Sequence, residues 1–325
     1  MVGLGSVGRR HLNNFLGLGV PVSACSSGKG ALGHVDLPGD VVVHRDLASA
    51  LADRPTAVVV ATPSALHLPV ALAAARAGAH LLIEKPVSDT LDGVDALRAE
   101  IERRRLLAFV GFQFRFHPSL RQIRRWIVDG ALGDIVSAQV HWGECLPDMH
   151  PWEDYRTGYA ARRDLGGGVL RTFCHPFDYL RWWFGDVSDV AATAGRVDPF
   201  GLDVETSVDV NLVFRRGAHA HVHLNFVQRP MEHTVRIVGT GGTATWSQAD
   251  HTARRYDVQR GEWEVVAPPD GFERNTMFVA EAKHMLACLH GEDEPLCTFS
   301  DGVAALEVAL RADALLPSAA HMGVA

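Results

Sequence analysis

The sequence lacks the features that would tie it to nucleic acid, a membrane or an oxidising compartment. Its formal net charge is −7 over 325 residues, and its longest basic cluster is Arg103-Arg104-Arg105. That argues against nucleic acid as a partner. No apolar run reaches membrane-spanning length, the best candidate being broken by Pro63, His67, Pro69 and Arg76, so no membrane partner is expected. An apolar signal core is also missing, since Arg9 and Arg10 follow Gly8 directly. The cysteines Cys25, Cys145, Cys174, Cys288 and Cys297 form no CxxC pair. They read as reduced thiols of a cytoplasmic protein. Repeats, low-complexity tracts and a disordered linker are absent. What remains is an ordinary globular composition, 47% hydrophobic and 21% charged, long enough for about two domains.

The chain opens on Gly3-x-Gly5-x-x-Gly8. Such glycines allow a tight turn, close backbone approach to a pyrophosphate and close helix packing. The backbone of Gly3, Gly5, Ser6, Val7 and Gly8 is therefore expected at a dinucleotide, with helix amides facing its phosphates. Alone the motif is weak; it gains weight from a helix-compatible stretch at 9–18 and a strand at 20–25. Only Met1 and Val2 precede Gly3, whereas a central strand normally needs about five residues. The natural chain is therefore expected to start further upstream. No acid closes the second strand, where one would hold the ribose of NAD. The residues there are Cys25-Ser26-Ser27-Gly28-Lys29. The Ser26 and Ser27 hydroxyls and Lys29 suit a 2′-phosphate, so NADP is expected over NAD; the alternative is an ordinary Ser/Gly turn.

Residues 41–43 read as a short strand, with a helix from Leu47, and 57–61 as a strand buried on both faces. Thr62-Pro63-Ser64-Ala65-Leu66-His67 follows. Thr62 and Pro63 can start the next helix, or the turn can lie against the cofactor. That helix ends at Gly78, and strand 80–84 leads into Leu81-Leu82-Ile83-Glu84-Lys85-Pro86. Lys85 would emerge at a strand's carboxyl end, where open α/β sheets bind ligands. A lysine there, beside Glu84, can change its proton occupancy; the plain reading is a surface Glu-Lys pair. A helix at 89–105 and a strand at 106–111 complete the strand-helix alternation of a doubly wound parallel sheet.

In the second half, 135–142 alternates like a half-buried strand. Pro151-Trp152-Glu153-Asp154-Tyr155-Arg156 is a polar-aromatic loop, suited to a sugar-like ligand or simply to a domain surface. Gly166-Gly167-Gly168 lets backbone pass close to a ligand or another chain, and His175 stands just before a helix begun by Pro176. An imidazole there can exchange a hydroxyl proton. The plain reading makes His175 a helix cap and Asp178 a first-turn acid, and composition alone favours it. Beyond residue 187 the strands 188–197, 204–215, 218–227, 233–239, 243–247 and 254–266 read as a large, mostly antiparallel sheet, followed by helices at 275–290 and 301–315. His219-x-His221-x-His223 puts three imidazoles on one strand face. Same-face neighbours about 7 Å apart converge poorly on one ion, so no metal is expected and the face reads as solvated or subunit-facing.

GxGxxG at 3–8, TPxxxH at 62–67, EKP at 84–86 and RFHP at 115–118 occur in the order and spacing that resemble the Gfo/Idh/MocA oxidoreductase family. The resemblance covers essentially the whole chain. It implies an α/β Rossmann doubly wound parallel sheet at 1–118, then an α+β domain with a large mostly antiparallel sheet at 119–325, its final helices able to pack back on the first domain. It implies an NADP- or NAD-dependent oxidoreductase acting on a carbohydrate, polyol or nucleotide-sugar hydroxyl or ketone. Lys85 and His175 would meet across an interdomain cleft, one moving the hydroxyl proton and the other steadying the alkoxide. Glu84 would tune Lys85, while Thr62, Pro63, His67, Glu84, Lys85 and Gln113 would lie at the cofactor. Arg115, His117, Trp152, Tyr155, Thr172 and Asp178 would contact substrate, and a homodimer or homotetramer is expected. Many members carry an Asp three or four residues before the His; Thr172 and Arg171 stand there instead. That departure keeps a second reading open, a non-catalytic dinucleotide- or sugar-binding protein. A metal hydrolase using the His-rich strand is a third.

Overall fold

Val58, Val59 and Val60, then Leu81, Leu82 and Ile83, are buried on both sides of their strands and pair in parallel. Such two-sided burial is what a parallel sheet between helices requires. The computed structural model describes residues 1–26, 37, 41–195 and 197–317. It divides into two compact units. The first comprises Met1–Gln113, Asp164–Gly166 and Glu273–Leu306; the second comprises Phe114–Arg163, Gly167–Phe272 and the chain from Glu307.

The first unit begins with α1 (Ser6–Gly17), β1 (Ala24–Cys25), β2 (Val43–His44), α2 (Leu47–Ala52), β3 (Ala57–Val60), α3 (His67–Ala77), β4 (His80–Glu84), α4 (Val94–Arg104) and β5 (Ala108–Gly111). The strand pair β2-β1 and the run β3-β4-β5 are joined by one residue, Val2, which bridges Cys25 on one side and Val60 on the other. The expected first strand is thus a single residue, yet its backbone is satisfied on both flanks. The Val2 N–H donates to Val59 O (2.8 Å), the Ala61 N–H to Val2 O (2.8 Å) and the Cys25 N–H to Met1 O (2.7 Å). Val2, Val60, Ile83 and Val110 form one register row. The segments that follow each of them therefore leave the sheet at one edge.

Two elements are shorter than their sequence suggests. The second strand pairs only at Ala24–Cys25, because its partner offers only Val43–His44. The helix expected from residue 89 starts at Val94, because hydroxyls compete for the preceding amides. Ser88 Oγ accepts from the Thr90 N–H (3.4 Å) and Thr90 Oγ1 from the Asp92 N–H (3.3 Å).

The second unit holds α5 (Pro118–Val128), β6 (Ile135–Gly143), α6 (Leu146–Met149), α7 (Val169–Thr172), α8 (His175–Phe184), β7 (Val187–Ala194), β8 (Ser207–Phe214), β9 (His219–Asn225), β10 (Glu232–Gly239), β11 (Gly242–Ser247), β12 (Ala253–Asp257) and β13 (Glu262–Val266). Its sheet runs β13-β12-β11-β10-β6-β9-β8-β7, antiparallel except between β6 and β9. On β9 the alternation is clean: Ala220, Val222 and Leu224 are buried, while His219 and His221 are exposed. The unit starts at Phe114, ahead of the boundary expected at residue 118, because that ring packs edge-on to Trp142, His233 and Trp246. Two last helices follow, α9 (Arg274–Leu289) and α10 (Phe299–Asp313). In the first unit, Met285 and Cys288 of α9 close a core with Phe15, Val59, Leu82 and Phe109. Among the described residues no helix is long and apolar enough to cross a membrane.

Among the described residues of the first unit, the tightest backbone approach at a glycine is at Gly8, where a Cβ would collide with the Gly3 carbonyl oxygen. Gly8→Ala is expected to lower the unfolding free energy by about 1–3 kcal/mol. Gly17→Ala, whose Cβ meets nothing within 4 Å, should leave it unchanged or raise it by up to about 1 kcal/mol. Urea unfolding of the two variants compares them directly.

Candidate active site

The glycine turn leaves the sheet edge at Gly3, where φ is +91° and a Cβ would lie 2.5 Å from Ala61 O. Only glycine suits that approach. Gly5 is the N-cap of α1; no side chain caps the helix, and its first turn carries no acid. Nothing lies within 4 Å of a Cβ built on Gly5. Ser6 and Val7, the first two helical residues, are half-buried. The first amides of this 12-residue helix thus have neither a side-chain cap nor an acid in their own turn, which fits a phosphate. Beside this turn, Thr62 Oγ1 is buried with no hydrogen-bond partner. It does not cap the following helix, whose entry is made by Pro63 and Leu66. Open glycine backbone and an unused hydroxyl at one edge suit a dinucleotide. Ser26 donates its backbone N–H to His44 O (3.1 Å); Ser27 and Lys29 lie outside the described residues.

Of the chain's basic side chains only Lys29, Lys85 and Lys283 are lysines. Lysine can give up a proton where arginine cannot, so its use at Lys85 is chemically pointed. Lys85 follows β4 and is half-buried. Its N–H donates to Glu84 Oε2 (3.1 Å), while Glu84 Oε1 lies 2.6 Å from His11 Nε2 in a pair almost free of solvent. Gly111 on β5 makes the room, since a Cβ there would come within 3.1 Å of the Glu84 carboxyl group. Burial alone would raise the Glu84 pKa; the His11 hydrogen bond and charge, with Lys85, outweigh it and hold the group below the ordinary carboxylate range.

His67 ties two turns of the same edge together. Its Nδ1 lies 2.8 Å from Pro86 O and its Nε2 2.7 Å from Thr62 O, and the ring is 1% exposed. Only the imidazolium can donate to both carbonyls. Burial pulls its pKa below the usual histidine value, against the upward push of the two carbonyls and Glu84. The ring expected at the cofactor thus has both nitrogens turned to protein backbone. Gln113 is buried in a one-turn helix after β5. Glu281 on α9 is buried with both carboxyl oxygens unpartnered. Burial, then the Glu84 charge, push its pKa well up, opposite in direction to the shift at Glu84.

In the second unit Arg115 and Asp178 are brought together. Arg115 Nε donates to Asp178 Oδ2 (2.9 Å) and Nη2 to Oδ1 (2.6 Å), with side chains 3% and 1% exposed. Two groups expected to contact substrate therefore neutralise each other. His117 is fully buried; its Nδ1 accepts the Ser119 N–H (3.1 Å) as the N-cap of α5. Burial, then the neighbouring His251, push its pKa down to about 3. Trp152 is 63% exposed and Tyr155 half-buried, with the Arg156 guanidinium 4.5 Å over the Tyr155 ring. An open aromatic loop of this kind can stack a sugar ring.

His175 begins α8 and is buried. The helix has no side-chain cap, so the capping role is not the one it plays. Its ring lies edge-on to Phe114 (4.8 Å) and near-parallel to Trp142 (5.7 Å). Upstream, Thr172 is buried and Arg171 Nη2 pairs with Asp313 Oδ2 (2.9 Å). No local pattern marks Glu205, which lies 35 residues beyond its partner: Glu205 Oε1 accepts the Leu170 N–H (3.1 Å). His11, by contrast, was findable, as it shares the buried face of α1 with Leu12 and Phe15. On the open face of β9, His223 Nδ1 lies 2.7 Å from Asp209 Oδ1 and His223 stacks on His141 at 5.0 Å. Among the described residues no three His, Cys, Asp or Glu side chains gather as a metal site would need.

A parallel sheet whose open glycine turn and half-buried lysine share one edge has the form of a dinucleotide-binding domain. Residues 1–112 match the family model for an oxidoreductase family with an NAD-binding Rossmann fold, and residues 120–245 match the GFO/IDH/MocA C-terminal domain. The chain belongs to the Gfo/Idh/MocA family. An uncharacterized oxidoreductase of Synechocystis sp. is 33% identical over 201 residues, 58% of this chain, which spans about half (51%) of that protein. The levoglucosan dehydrogenase of Pseudarthrobacter phenanthrenivorans is 26% identical over 316 residues, covering 81% of this chain and 77% of that one. The WlbA dehydrogenase of Bordetella pertussis, solved with NADH and UDP-GlcNAcA, shares the fold at a TM-score of 0.80 and 22% identity, over 97% of this chain and 94% of that one.

Because Arg115 and Asp178 are buried as a pair, Asp178→Asn is expected to cost about 3–5 kcal/mol by stranding a cation. The double variant Arg115→Met, Asp178→Leu should recover most of that loss. Denaturant unfolding of both reads the difference.

Proposed function

We propose that the protein is an NAD(P)-dependent oxidoreductase that moves hydride between the nicotinamide and a carbohydrate, polyol or nucleotide-sugar carbon bearing a hydroxyl or ketone. The observation that carries this reading is the shared edge of the first sheet, with the uncapped α1 at Gly5 and Lys85 after β4. Gly3, Gly5 and the Ser6 and Val7 amides hold the pyrophosphate, and Thr62 turns its hydroxyl to the cofactor. A bound nicotinamide supplies or accepts the hydride. Lys85 and His175 handle the proton and charge: one takes the hydroxyl proton as the carbon is oxidised, and the other stabilises the alkoxide. Glu84 and His11 fix the Lys85 backbone from below, and His67 fixes the Pro86 carbonyl. Trp152 and Tyr155 stack on the sugar. The second strand ends without a carboxylate that would repel a 2′-phosphate, so NADP is accepted in preference to NAD. The protein works as a homodimer or homotetramer.

One observation favours a binding protein without turnover: α7 carries Arg171, engaged by Asp313, and Thr172 where many family members have an Asp. The two readings part on assay. A panel of sugars and sugar nucleotides with NAD(H) and NADP(H), followed by absorbance of the reduced cofactor, is expected to give turnover. NADPH fluorescence change without turnover on any panel member would support the binder. Lys85→Ala and His175→Ala are each expected to lower kcat by about 10²–10⁴-fold; the half-buried Lys85 can be truncated with little change in thermal unfolding, whereas His175→Ala empties a buried ring site and should lower the unfolding temperature while the chain still folds. Near-normal rates would remove them from the mechanism. NADPH should bind more tightly than NADH in a fluorescence titration, and the reverse order would overturn the cofactor assignment.

A further inference from the structure

We propose that Glu205 is the positioning residue of the His175 segment: its neutral carboxyl group holds Gly168 and α7 in place, and loss of its proton releases them. This rests on the reading that His175 takes part in the reaction. Glu205 grips the segment at three points. Its Oε1 accepts the Leu170 N–H (3.1 Å), and its backbone oxygen accepts the Val169 N–H (3.0 Å). Its carboxyl group also lies where a Cβ on Gly168 would stand, at a backbone φ of +102°. The grip extends to Phe173, two residues before His175, since the Thr172 N–H donates to Gly168 O and the Phe173 N–H to Val169 O (both 2.9 Å).

Glu205 is 3% exposed, and its Oε2 is buried with no hydrogen-bond partner. An ionised Glu205 would bury a negative oxygen with no donor, which is costly. The charged groups that face it are Arg171 on α7 and Asp313 on α10, and these pair with each other at 2.9 Å. Arg171 is therefore already balanced. Burial, with the Asp313 charge, pushes the Glu205 pKa up to about 7, against the Leu170 amide and Arg171. A folded-state pKa above the ordinary value of 4.5 means that the stabilisation from this group is complete below that value. It is lost as pH rises through about 7.

The test is amide hydrogen exchange of residues 168–175 at pH 6 and pH 8, corrected for intrinsic exchange, on the full chain. In the wild type, protection should fall about tenfold between the two. Glu205→Gln keeps the acceptor for Leu170 and cannot ionise, so its protection should stay flat and its kcat should lose the decline toward pH 8, with the dinucleotide Kd unchanged. Gly168→Ala, which pushes the carboxyl group away, should lose protection at both values. Constant protection in the wild type, or the same fall in Glu205→Gln, overturns the proposal. Exchange needs no turnover, so the two failures are separable: full activity in His175→Ala beside the expected exchange pattern would sink the catalytic reading and leave the latch standing.

Discussion

The first unit depends on a carboxylate taken out of water. Glu84 ends β4 in the sheet interior, and its negative charge persists there because His11 of α1 meets it at 2.6 Å. Removing one partner of such a pair typically costs several kcal/mol, since the other charge stays buried. The same carboxylate holds the Lys85 N–H and forces Gly111 on the neighbouring strand. One interaction thus joins the first helix, β4 and β5 and fixes where the lysine leaves the sheet. His67 adds a second tie at the same edge, between Thr62 O and Pro86 O.

The second unit handles its buried acids differently. Asp178 is matched by the fork of Arg115, which satisfies both oxygens. Glu205 has one amide and no cation of its own, so burial drives it toward the neutral form. Around them Trp142 stacks on Phe173 at 4.5 Å and on His233 at 4.2 Å, building a rigid aromatic floor on which His175 rests. A buried imidazole packed against two aromatic rings has few orientations open to it.

Much of this was legible beforehand because the signals were local. The glycine spacing, the doubly apolar strands and the abrupt Glu84-Lys85-Pro86 step each reflect chemistry within a few residues. The alternation of β9 marked its open face, and the motif order pointed to the family. What escaped were partnerships between distant residues. Arg115 and Asp178 read as two separate ligand contacts, and the tertiary structure joins them in a buried ion pair. His117 reads as a substrate contact, and the tertiary structure gives its Nδ1 the N-cap of α5. Thr62 looked able to cap a helix and has its hydroxyl buried without a partner. No pattern announced Glu205, because a lone acid before a strand resembles any solvated one.

The sequence by itself determined the two-unit α/β and α+β architecture, the glycine turn, and the position of Lys85 at a strand end. These follow from hydrophobic periodicity and backbone sterics, which act over short stretches. Only the tertiary structure decided which polar groups are available for chemistry and which are consumed in holding the fold. That depends on burial and on partners supplied by other elements, which set both the charge a group carries and the direction it faces.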